Sequence, residues 1–315
     1  MSRCLITGVA GFIGSSLAER LVAGGREVVG VDCFTGNYAR ELKGANLRSL
    51  LKNRRFRFSE LDLRTGALEP LLDGVEAVFH QAALPGVRQS WGSEFEKYCG
   101  HNILATQRLL EACKERRIER FVHASSSSVY GESETMPTPE ALSPAPISPY
   151  GLTKLAADKL CEIYWKNFGV PVVLLRYFTV YGPRQRPDMA FQKFFLAIRE
   201  RRPLEIYGDG TQTRDFTFIQ DAIEANLSAI TSPKSILGRV YNIGGGARMT
   251  LNHVLDQIQK IVKVDLSVNR SPVQKGDPKN TSADIHLAHQ QLGYSPKVGI
   301  EEGLRQQWEW NRHGK

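Results

Sequence analysis

The chain has 315 residues, of which 42% are hydrophobic and 23% are charged. This composition argues against disorder, and the length exceeds that at which single hydrophobic cores stop growing, so we expect two lobes. The net charge of +8 comes from scattered Lys and Arg without regular aromatic interleaving. Such scatter argues against a nucleic-acid partner and suits a small anionic substrate or a merely basic surface.

The sequence carries no sign of a membrane span, a secretion signal or a metal site. No apolar run approaches the roughly 20 residues of a span, and the apolar start lacks a charged leader region. The 5 cysteines, at positions 4, 33, 99, 113 and 161, form no Cys-x-x-Cys pair and have no nearby His in metal-ligand spacing. We therefore expect a cytoplasmic protein with reduced thiols, no membrane partner and no metal.

Short β-branched runs alternate with longer helical patterns. Helices are predicted near 12–24, 94–116 and 150–168. Strands are predicted at CLIT (4–7), VVGV (28–31), FRF (56–58), AVFH (77–80), FVHA (121–124) and VVLLR (172–176), and FTFI (216–219) and VYNI (240–243) are candidate additional strands. The alternation predicts an α/β fold, a doubly wound Rossmann-type parallel sheet with helices on both faces.

A glycine-rich turn follows the first predicted strand and opens a helix. Gly8 permits a tight turn, Gly11 lets the backbone approach a pyrophosphate, and Gly14 allows close packing of helix on strand. Phe12 and Ile13 begin the helix, whose N-terminus attracts the anion. Asp32 ends the second strand, where an acid accepts the ribose hydroxyls of NAD and repels the 2′-phosphate of NADP. The alternative is an ordinary turn with a surface Asp.

Reactive side chains are predicted at two places near the sheet edge. Tyr150 and Lys154 stand four residues apart at the start of a helix, where a neighbouring ammonium lowers the pKa of a phenol and makes it a base. This spacing is common by chance. Ser126 lies in the run ASSSSVYG (124–131), after the fifth strand, where ligands bind in parallel sheets. Some of these serines are expected only to cap local backbone groups.

Together these motifs resemble the extended short-chain dehydrogenases/reductases, whose first turn T-G-x-x-G-F-I-G matches Thr7 to Gly14. The resemblance covers nearly the whole chain. It implies that Ser126 hydrogen-bonds the reacting hydroxyl, that Tyr150 takes its proton, and that Lys154 holds the nicotinamide ribose and tunes Tyr150. It further implies that Asp62 and Leu63 meet the adenine, that Ala82 passes the cofactor phosphates and that Tyr177 contacts the cofactor.

The family divides according to the chemical step that comes after oxidation of the sugar. Dehydratases carry Thr-Asp-Glu before Val-Tyr-Gly, and related decarboxylases carry Ser-Glu, whereas this chain has Ser126, Ser127 and Ser128 there. The carboxylate pair that removes water is therefore missing. We expect that the same hydride is returned to C4, which is the chemistry of a 4-epimerase, with Ser127 and Ser128 contacting the sugar.

The stretch RYFTVYGPRQRPDMAF (176–191) favours a particular sugar. Thr179 followed by Gly-Pro-x-x-Arg-Pro-Asp-Met-Ala resembles the UDP-glucuronate 4-epimerases. A two-pronged ion pair from Arg186 suits the C6 carboxylate, and it holds that carboxylate out of the alignment in which a β-keto acid loses CO₂. The alternative is that Arg184 and Arg186 solvate a loop or pair with Asp188.

The resemblance also assigns the UDP group to the second lobe. Phe191, Gln192, Ile206 and Tyr207 are expected beside the uracil, and Arg214 at the diphosphate. Gln274 stands where relatives commonly have a second diphosphate arginine, so either Arg270 or Lys275 is expected to replace it.

We divide the chain into a NAD-binding domain, about residues 1–176 and 216–248, and a smaller C-terminal α/β substrate lobe, about 177–215 and 249–315. The family suggests a homodimer through helices near 94–116 and 150–168. UDP-glucose or UDP-N-acetylglucosamine is the alternative substrate. A non-catalytic NAD(H)-binding sensor is the alternative class, and the intact Ser126, Tyr150 and Lys154 argue against it.

Overall fold

A central parallel sheet organises the chain, which the computed structural model describes over residues 3–313. The described strands are β1 (Arg3–Thr7), β2 (Glu27–Asp32), β3 (Phe56–Glu60), β4 (Val75–His80), β5 (Arg120–Ser126), β6 (Val172–Tyr177), β7 (Val180–Tyr181), β8 (Leu204–Tyr207), β9 (Thr213–Asp215), β10 (Thr217–Phe218), β11 (Arg239–Ile243), β12 (Arg248–Thr250) and β13 (Val268–Ser271). Seven of these form the sheet in the order β11-β6-β5-β4-β1-β2-β3, all parallel. The predicted Rossmann-type sheet is confirmed.

Helices cover both faces of the sheet. They are α1 (Phe12–Ala23), α2 (Arg40–Leu47), α3 (Phe95–Tyr98), α4 (Ala105–Cys113), α5 (Pro149–Phe168), α6 (Ala190–Arg199), α7 (Ile219–Thr231), α8 (Leu251–Val262), α9 (His286–Leu292) and α10 (Ile300–Arg312). The helix predicted at 94–116 is divided by a π-helical turn, Cys99–Leu104. Within residues 3–313, none of the helices has both the length and the apolar character required to cross a bilayer.

The two candidate additional strands have different outcomes. VYNI lies in β11, which pairs with β6 and extends the sheet. FTFI does not join the sheet, because Thr217 and Phe218 pair instead with Val180 and Tyr181 in a separate two-stranded ladder. The chain has already left the sheet plane after β6, so β10 follows β7 rather than the sheet edge.

The smaller lobe contains the parallel pair β8 and β13 together with α6, α8 and α10. The hydrophobic core continues from the sheet into this lobe without a break. One hydrophobic cluster runs from Cys4 and Leu17, beside the sheet, through Tyr181 to Phe195 and Val254 in the smaller lobe. The two lobes therefore share a core, and the division between them remains a prediction.

Candidate active site

A cavity of about 1020 Å³ opens where the sheet meets the smaller lobe. Strand order reverses between β1 and β4, which is the point at which ligands bind in doubly wound sheets. Residues that end or follow each of β1 to β6 contribute to the lining. The predicted site residues among them are Gly8, Gly11, Phe12, Ile13, Gly14, Asp32, Asp62, Leu63, Ala82, Ser126, Ser127, Ser128, Tyr150, Lys154, Tyr177, Thr179, Arg186, Phe191, Ile206, Tyr207 and Arg214.

The glycine turn leaves no room for side chains. Gly8 has a φ of +69°, and a Cβ there would lie 2.8 Å from the backbone of Ala82. A Cβ on Gly14 would lie 2.2 Å from the carbonyl oxygen of Gly8. Gly11 is the N-cap of α1 and supplies no side-chain cap, which leaves the start of the helix open to an anion. The turn therefore fits a pyrophosphate.

Asp32 is held in place by the turn itself. Its carboxylate accepts hydrogen bonds from the backbone N–H groups of Ala10 at 3.0 Å and Phe34 at 2.8 Å. Burial raises the pKa of this carboxyl, and the hydrogen bond from Phe34 opposes the rise. A fixed acid at the end of β2 fits the ribose of a dinucleotide.

The donor atoms of Cys33, Asp62 and His101 come within 4.8 Å of one another in the same part of the cavity. Sequence spacing gave no sign of this group, because the three residues follow different strands or helices. Asp62 is already occupied, since Arg64 donates to both of its carboxylate oxygens, the shortest bond being 2.7 Å. That hydrogen bond also lowers the pKa of Asp62.

Tyr150 and Lys154 are positioned by the first two turns of α5. Ser148 caps the helix by accepting from the N–H of Gly151 at 3.1 Å, and Pro149 occupies the first turn. The N–H of Tyr150 donates to Ser90 at 3.0 Å. Lys154 is 3% exposed and donates from Nζ to the carbonyl oxygen of Ala124, on β5, at 2.5 Å.

The ionisable groups at this point have shifted pKa values. Burial raises the pKa of Tyr150, and a hydrogen bond with Ser126 and the positive charge of Arg186 oppose the rise. Burial lowers the pKa of Lys154 to about 8, whereas the carboxylate of Asp158 acts in the opposite direction. The sequence predicted Lys154 as the cation that lowers the phenol pKa. In the structure, the positive charge of Arg186 has this effect on Tyr150.

A buried polar chain that the sequence analysis missed lies behind Lys154. Asp158 is 0% exposed and forms an ion pair with Arg176 at 3.1 Å. Arg176 in turn donates to the hydroxyl of Tyr130 at 2.9 Å, and Tyr130 pairs with Asn242 at 2.8 Å. Asp158 stands four residues after Lys154 on α5, so helical periodicity offered a signal for it.

Arg186 lines the cavity and forms a two-pronged ion pair with Asp188, at 2.9 and 2.8 Å. The structure thus contains the alternative contact with Asp188 that the sequence offered. Thr179 lies in the same lining. Arg184 does not line the cavity and pairs with Glu19 at 2.8 Å.

The far end of the cavity belongs to the smaller lobe. Phe191 packs against Phe216 with ring centroids 4.8 Å apart. Two predicted residues are absent from the lining: the Gln192 side chain is paired with Asn311 on α10, and Arg270 is exposed on β13. Phe191 and Lys193, on either side of Gln192, do line the cavity, so helical periodicity directs Gln192 away from it. The strand neighbours of Arg270 lie outside the lining as well.

Arg88 is a cavity residue that the sequence analysis did not identify. Its guanidinium lies 4.1 Å from the centroid of the Tyr207 ring and donates to Asp277 at 2.6 Å. Arg88 follows β4 in a short 3-10 turn, Arg88–Ser90, where neither periodicity nor a recognised motif marked it.

Sequence comparison agrees with this geometry. Residues 4–244 match the model of the NAD dependent epimerase/dehydratase family, and the chain belongs to that family. A Bacillus subtilis protein named as an uncharacterised UDP-glucose epimerase is 46% identical over 96% of this chain and 95% of its own. A UDP-glucuronate 4-epimerase of Thermodesulfobacterium geofontis is 36% identical over 99% and 97%. The crystal structure of UDP-glucuronic acid 4-epimerase from Bacillus cereus, in complex with UDP-glucuronic acid and NAD, has a TM-score of 0.96 at 46% identity and covers 99% of both chains.

Proposed function

We propose that this protein is an NAD-dependent isomerase that interconverts UDP-glucuronate and UDP-galacturonate through a 4-keto sugar. The observation that carries the proposal is the convergence of Ser126, Tyr150, Lys154 and Arg186 on one cavity at the carboxyl edge of the sheet. The first three supply acid-base chemistry at a carbinol, and Arg186 supplies a guanidinium suited to a carboxylate. The similarity to the Bacillus cereus enzyme supports the same interpretation.

Tyr150 is assigned as the base that takes the C4 hydroxyl proton and later returns it. Ser126 holds the same hydroxyl and hydrogen-bonds the phenol, which favours the phenolate. Lys154, fixed by the carbonyl oxygen of Ala124, holds the ribose beside the nicotinamide and contributes positive charge. C4 of the keto sugar is planar, so rotation of the sugar before reduction exposes the opposite face of the carbonyl and inverts the configuration at C4.

The glycine turn, Asp32 and the adenine-side residues Asp62 and Leu63 are assigned to NAD. Ala82 is assigned to its phosphates, and Tyr177 to the nicotinamide side. NAD, when bound, supplies the acceptor and then the donor of one hydride. The close approach of Gly8 to Ala82 and the fixed Asp32 carboxylate are the features that fit a dinucleotide.

Arg186 is assigned to the C6 carboxylate of the sugar, in place of its present contact with Asp188. Thr179, Ser127 and Ser128 line the same part of the cavity and supply hydroxyl contacts. Holding the carboxylate away from alignment with the C4 carbonyl protects the 4-keto acid from losing CO₂. Phe191, Ile206 and Tyr207 are assigned to the uracil side, and Arg214 to the diphosphate.

A neutral-sugar 4-epimerase is the second candidate. The Bacillus subtilis relative named as a UDP-glucose epimerase favours it, whereas Arg186 in the cavity favours an acidic sugar. A protein that only senses NAD(H) has no need of a buried lysine next to a tyrosine in a sugar-sized cavity.

Separate incubation with UDP-glucuronate, UDP-glucose and UDP-N-acetylglucosamine, with resolution of the C4 epimers formed, tests the proposal. We expect UDP-galacturonate from UDP-glucuronate and much slower turnover of the neutral sugars. Turnover of a neutral sugar alone would reassign the substrate. If none of the three sugars is turned over, the result favours the alternative class, a protein that only senses NAD(H). NAD released on denaturation of the purified protein reports whether the cofactor stays bound.

We also propose a homodimer. Leu104, Leu152, Ile163 and Phe168, on the α4 and α5 side, are 47 to 51% exposed. Leu152 and Ile163 lie eleven residues apart on α5, or three turns, and so share one face. A solvent-facing apolar stripe of this kind suits a second copy of the chain. Ile163→Asp should shift the sedimentation coefficient to that of a monomer.

A cytoplasmic location is proposed from the cysteines. All 5 are free thiols, and 3 of them are buried. Reduced thiols are typical of the cytoplasm. Fractionation of cells that produce the protein tests this, and recovery in the membrane fraction or outside the cells would contradict it.

A further inference from the structure

The cavity lacks the second cation that the sequence analysis placed near Gln274. Gln274 itself lines the cavity, but Arg270 and Lys275 are exposed and lie outside the lining. A diphosphate carries more charge than one guanidinium neutralises, and Arg214 is the cation already assigned to it. Besides Arg214, the guanidinium that lines this part of the cavity and contacts the segment after β13 is that of Arg88.

Arg88 connects the two lobes across this part of the cavity. From the segment after β4 it reaches Tyr207, at the end of β8, and Asp277, in the segment after β13. Both the Nε and the Nη2 of Arg88 donate to one carboxylate oxygen of Asp277, at 3.0 and 2.6 Å. Tyr207 and Asp277 therefore fix the position of the guanidinium.

The segment that carries Asp277, residues 272–279, forms part of the outer wall of the cavity. Gly276 fits closely against Val87 and Trp91, because a Cβ there would lie 3.2 and 3.3 Å from their side chains. The N–H of Lys279 donates to Glu132 at 2.7 Å. Val273 in the same segment is 74% exposed. The carbonyl oxygen of Lys279 also accepts from the N–H of Thr213 and from Arg214, both at 3.1 Å. These bonds hold the end of the segment, and the Arg88–Asp277 pair holds its middle.

Arg88 and Arg214 act on the same small volume. Burial lowers the pKa of Arg214, the charges of Asp277 and Glu132 oppose that effect, and the charge of Arg88 adds to it. Arg214 also reaches the segment that carries Asp277, because its Nη1 donates to the carbonyl oxygen of Lys279 at 3.1 Å. Two guanidinium groups directed at one short segment of the cavity wall suit a polyanion, which gives each of them its own oxygens.

The cost of exchanging this carboxylate is small. The side chains of Arg88 and Asp277 are 42% and 24% exposed, and partly exposed ion pairs contribute little to stability. A diphosphate in this cavity would offer Arg88 negatively charged oxygens in place of the carboxylate. The stacking on Tyr207 keeps the guanidinium in place while its anionic partner changes.

We infer that Arg88 is the second diphosphate cation of the UDP-sugar site, and that Asp277 is its resident counter-ion, which the diphosphate displaces. The inference rests on the proposed function, because it requires a UDP-sugar in the cavity. It implies that binding loosens the connection between segment 272–279 and the sheet-side lobe, and that release restores it.

Calorimetric titration with UDP tests the inference without requiring turnover. Arg88→Ala should weaken UDP binding roughly ten- to hundredfold, similarly to Arg214→Ala, since each removes a charge-assisted pair. Arg270→Ala is the matched control and should bind UDP as the unchanged protein does. Retained NAD content in each variant shows that the fold is intact.

Asp277→Asn distinguishes exchange from a merely structural ion pair. If the diphosphate displaces Asp277, this variant should bind UDP several-fold more tightly, and the gain should vanish in the Arg88→Ala background. If the pair only holds the segment in place, Asp277→Asn and Arg88→Ala should weaken binding alike, which overturns the inference.

The outcomes separate the two proposals. Failure of the unchanged protein to bind UDP contradicts the UDP-sugar function itself. Binding of UDP by the unchanged protein and equally by Arg88→Ala leaves the function intact and removes Arg88 from the site.

Discussion

Two regions of the cavity hold their charges in opposite ways. The catalytic floor, defined as Ser126, Tyr150 and Lys154 with Asp158 and Arg176 behind them, is built on β5, β6 and α5. Lys154, Asp158 and Arg176 are at most 3% exposed, and their charges face one another inside the protein. Such a network keeps its geometry whether or not a ligand is present.

The recognition wall, defined as Arg88, Arg186 and Arg214 with Asp188 and Asp277, lies mainly on connecting segments. The side chains of its two ion pairs, Arg88–Asp277 and Arg186–Asp188, are 19 to 42% exposed. Under the proposals made above, a substrate anion replaces the carboxylate in each of these pairs. The difference then teaches that fixed charges would perform the chemistry, whereas exchangeable charges would select the substrate.

Removal of the phenol should have the largest effect. Tyr150→Phe deletes the proposed base, and we expect turnover of UDP-glucuronate to fall about 10²- to 10⁴-fold with nucleotide binding retained. Steady-state epimerisation and UDP titration measure the two quantities. Tyr164→Phe is the matched control, because Tyr164 lies on the same helix outside the cavity and pairs with Glu111. Full activity in Tyr150→Phe would refute the assignment of the base.

Removal of the buried counter-ion should appear in the pH profile. Asp158 stabilises the Lys154 ammonium, whose pKa is already lowered to about 8 by burial. Asp158→Asn should lower that pKa further, so the ammonium is lost, and turnover declines, at a lower pH than before. We expect an activity loss of about fivefold at pH 8, since lowering the pKa by one unit reduces the charged fraction of the lysine from about one half to about one tenth.

The profile of kcat against pH checks this prediction. Asp221→Asn is the control, because Asp221 is a buried carboxylate on α7 that accepts from the N–H groups of Lys297 and Val298, outside the cavity. If the alkaline limb of the kcat profile lies at the same pH in Asp158→Asn as in the unchanged protein, the catalytic floor does not depend on this carboxylate.

On the recognition wall, Arg186→Ala should change the selectivity between acidic and neutral sugars more than the rate of the chemical step. We expect kcat/KM for UDP-glucuronate to fall about ten- to hundredfold through the lost charge-assisted pair, with kcat/KM for UDP-glucose little changed. Decarboxylated pentose product should accumulate. Arg184→Ala, whose side chain pairs with Glu19 instead, is the control. Unchanged kinetics and products in Arg186→Ala would exclude the carboxylate assignment.

Added salt should have the smallest effect and should separate the two regions. Exposed ion pairs are screened over about 8 Å at physiological ionic strength, and buried ones much less. Raising the ionic strength should therefore increase KM for UDP-glucuronate a few-fold while kcat stays nearly constant. If kcat falls as the ionic strength rises, solvent ions reach the catalytic floor.

The sequence predicted the sheet, the glycine turn and the residues of the floor that line the cavity, because each motif lies within one regular element or one tight turn. Tyr150 and Lys154 share a helix, so their spacing fixes their common face. Arg88 and Asp277 are 189 residues apart and meet only through the fold. The influence of Arg186 on Tyr150 was hidden for the same reason.

The sequence predictions failed where the direction of a side chain or of the chain path could not be inferred from residue types. Gln192 begins a helix beside Phe191, but it faces α10 rather than the cavity. Arg270 lies on a strand of the smaller lobe and faces outward. FTFI has the alternation of a strand, yet the chain had already turned away from the sheet at Val180. Side-chain direction at such points depends on tertiary packing.

The core shared by the two lobes limits how nucleotides exchange. Relative domain motion is the default only when the surface between domains is small or polar. Here Tyr181, Phe195 and Val254 belong to the same buried cluster as the strands, so swinging the lobes apart would expose apolar side chains to water. We therefore expect sugar nucleotides to enter and leave by movement of segment 272–279, which forms part of the cavity wall, and not by separation of the two lobes.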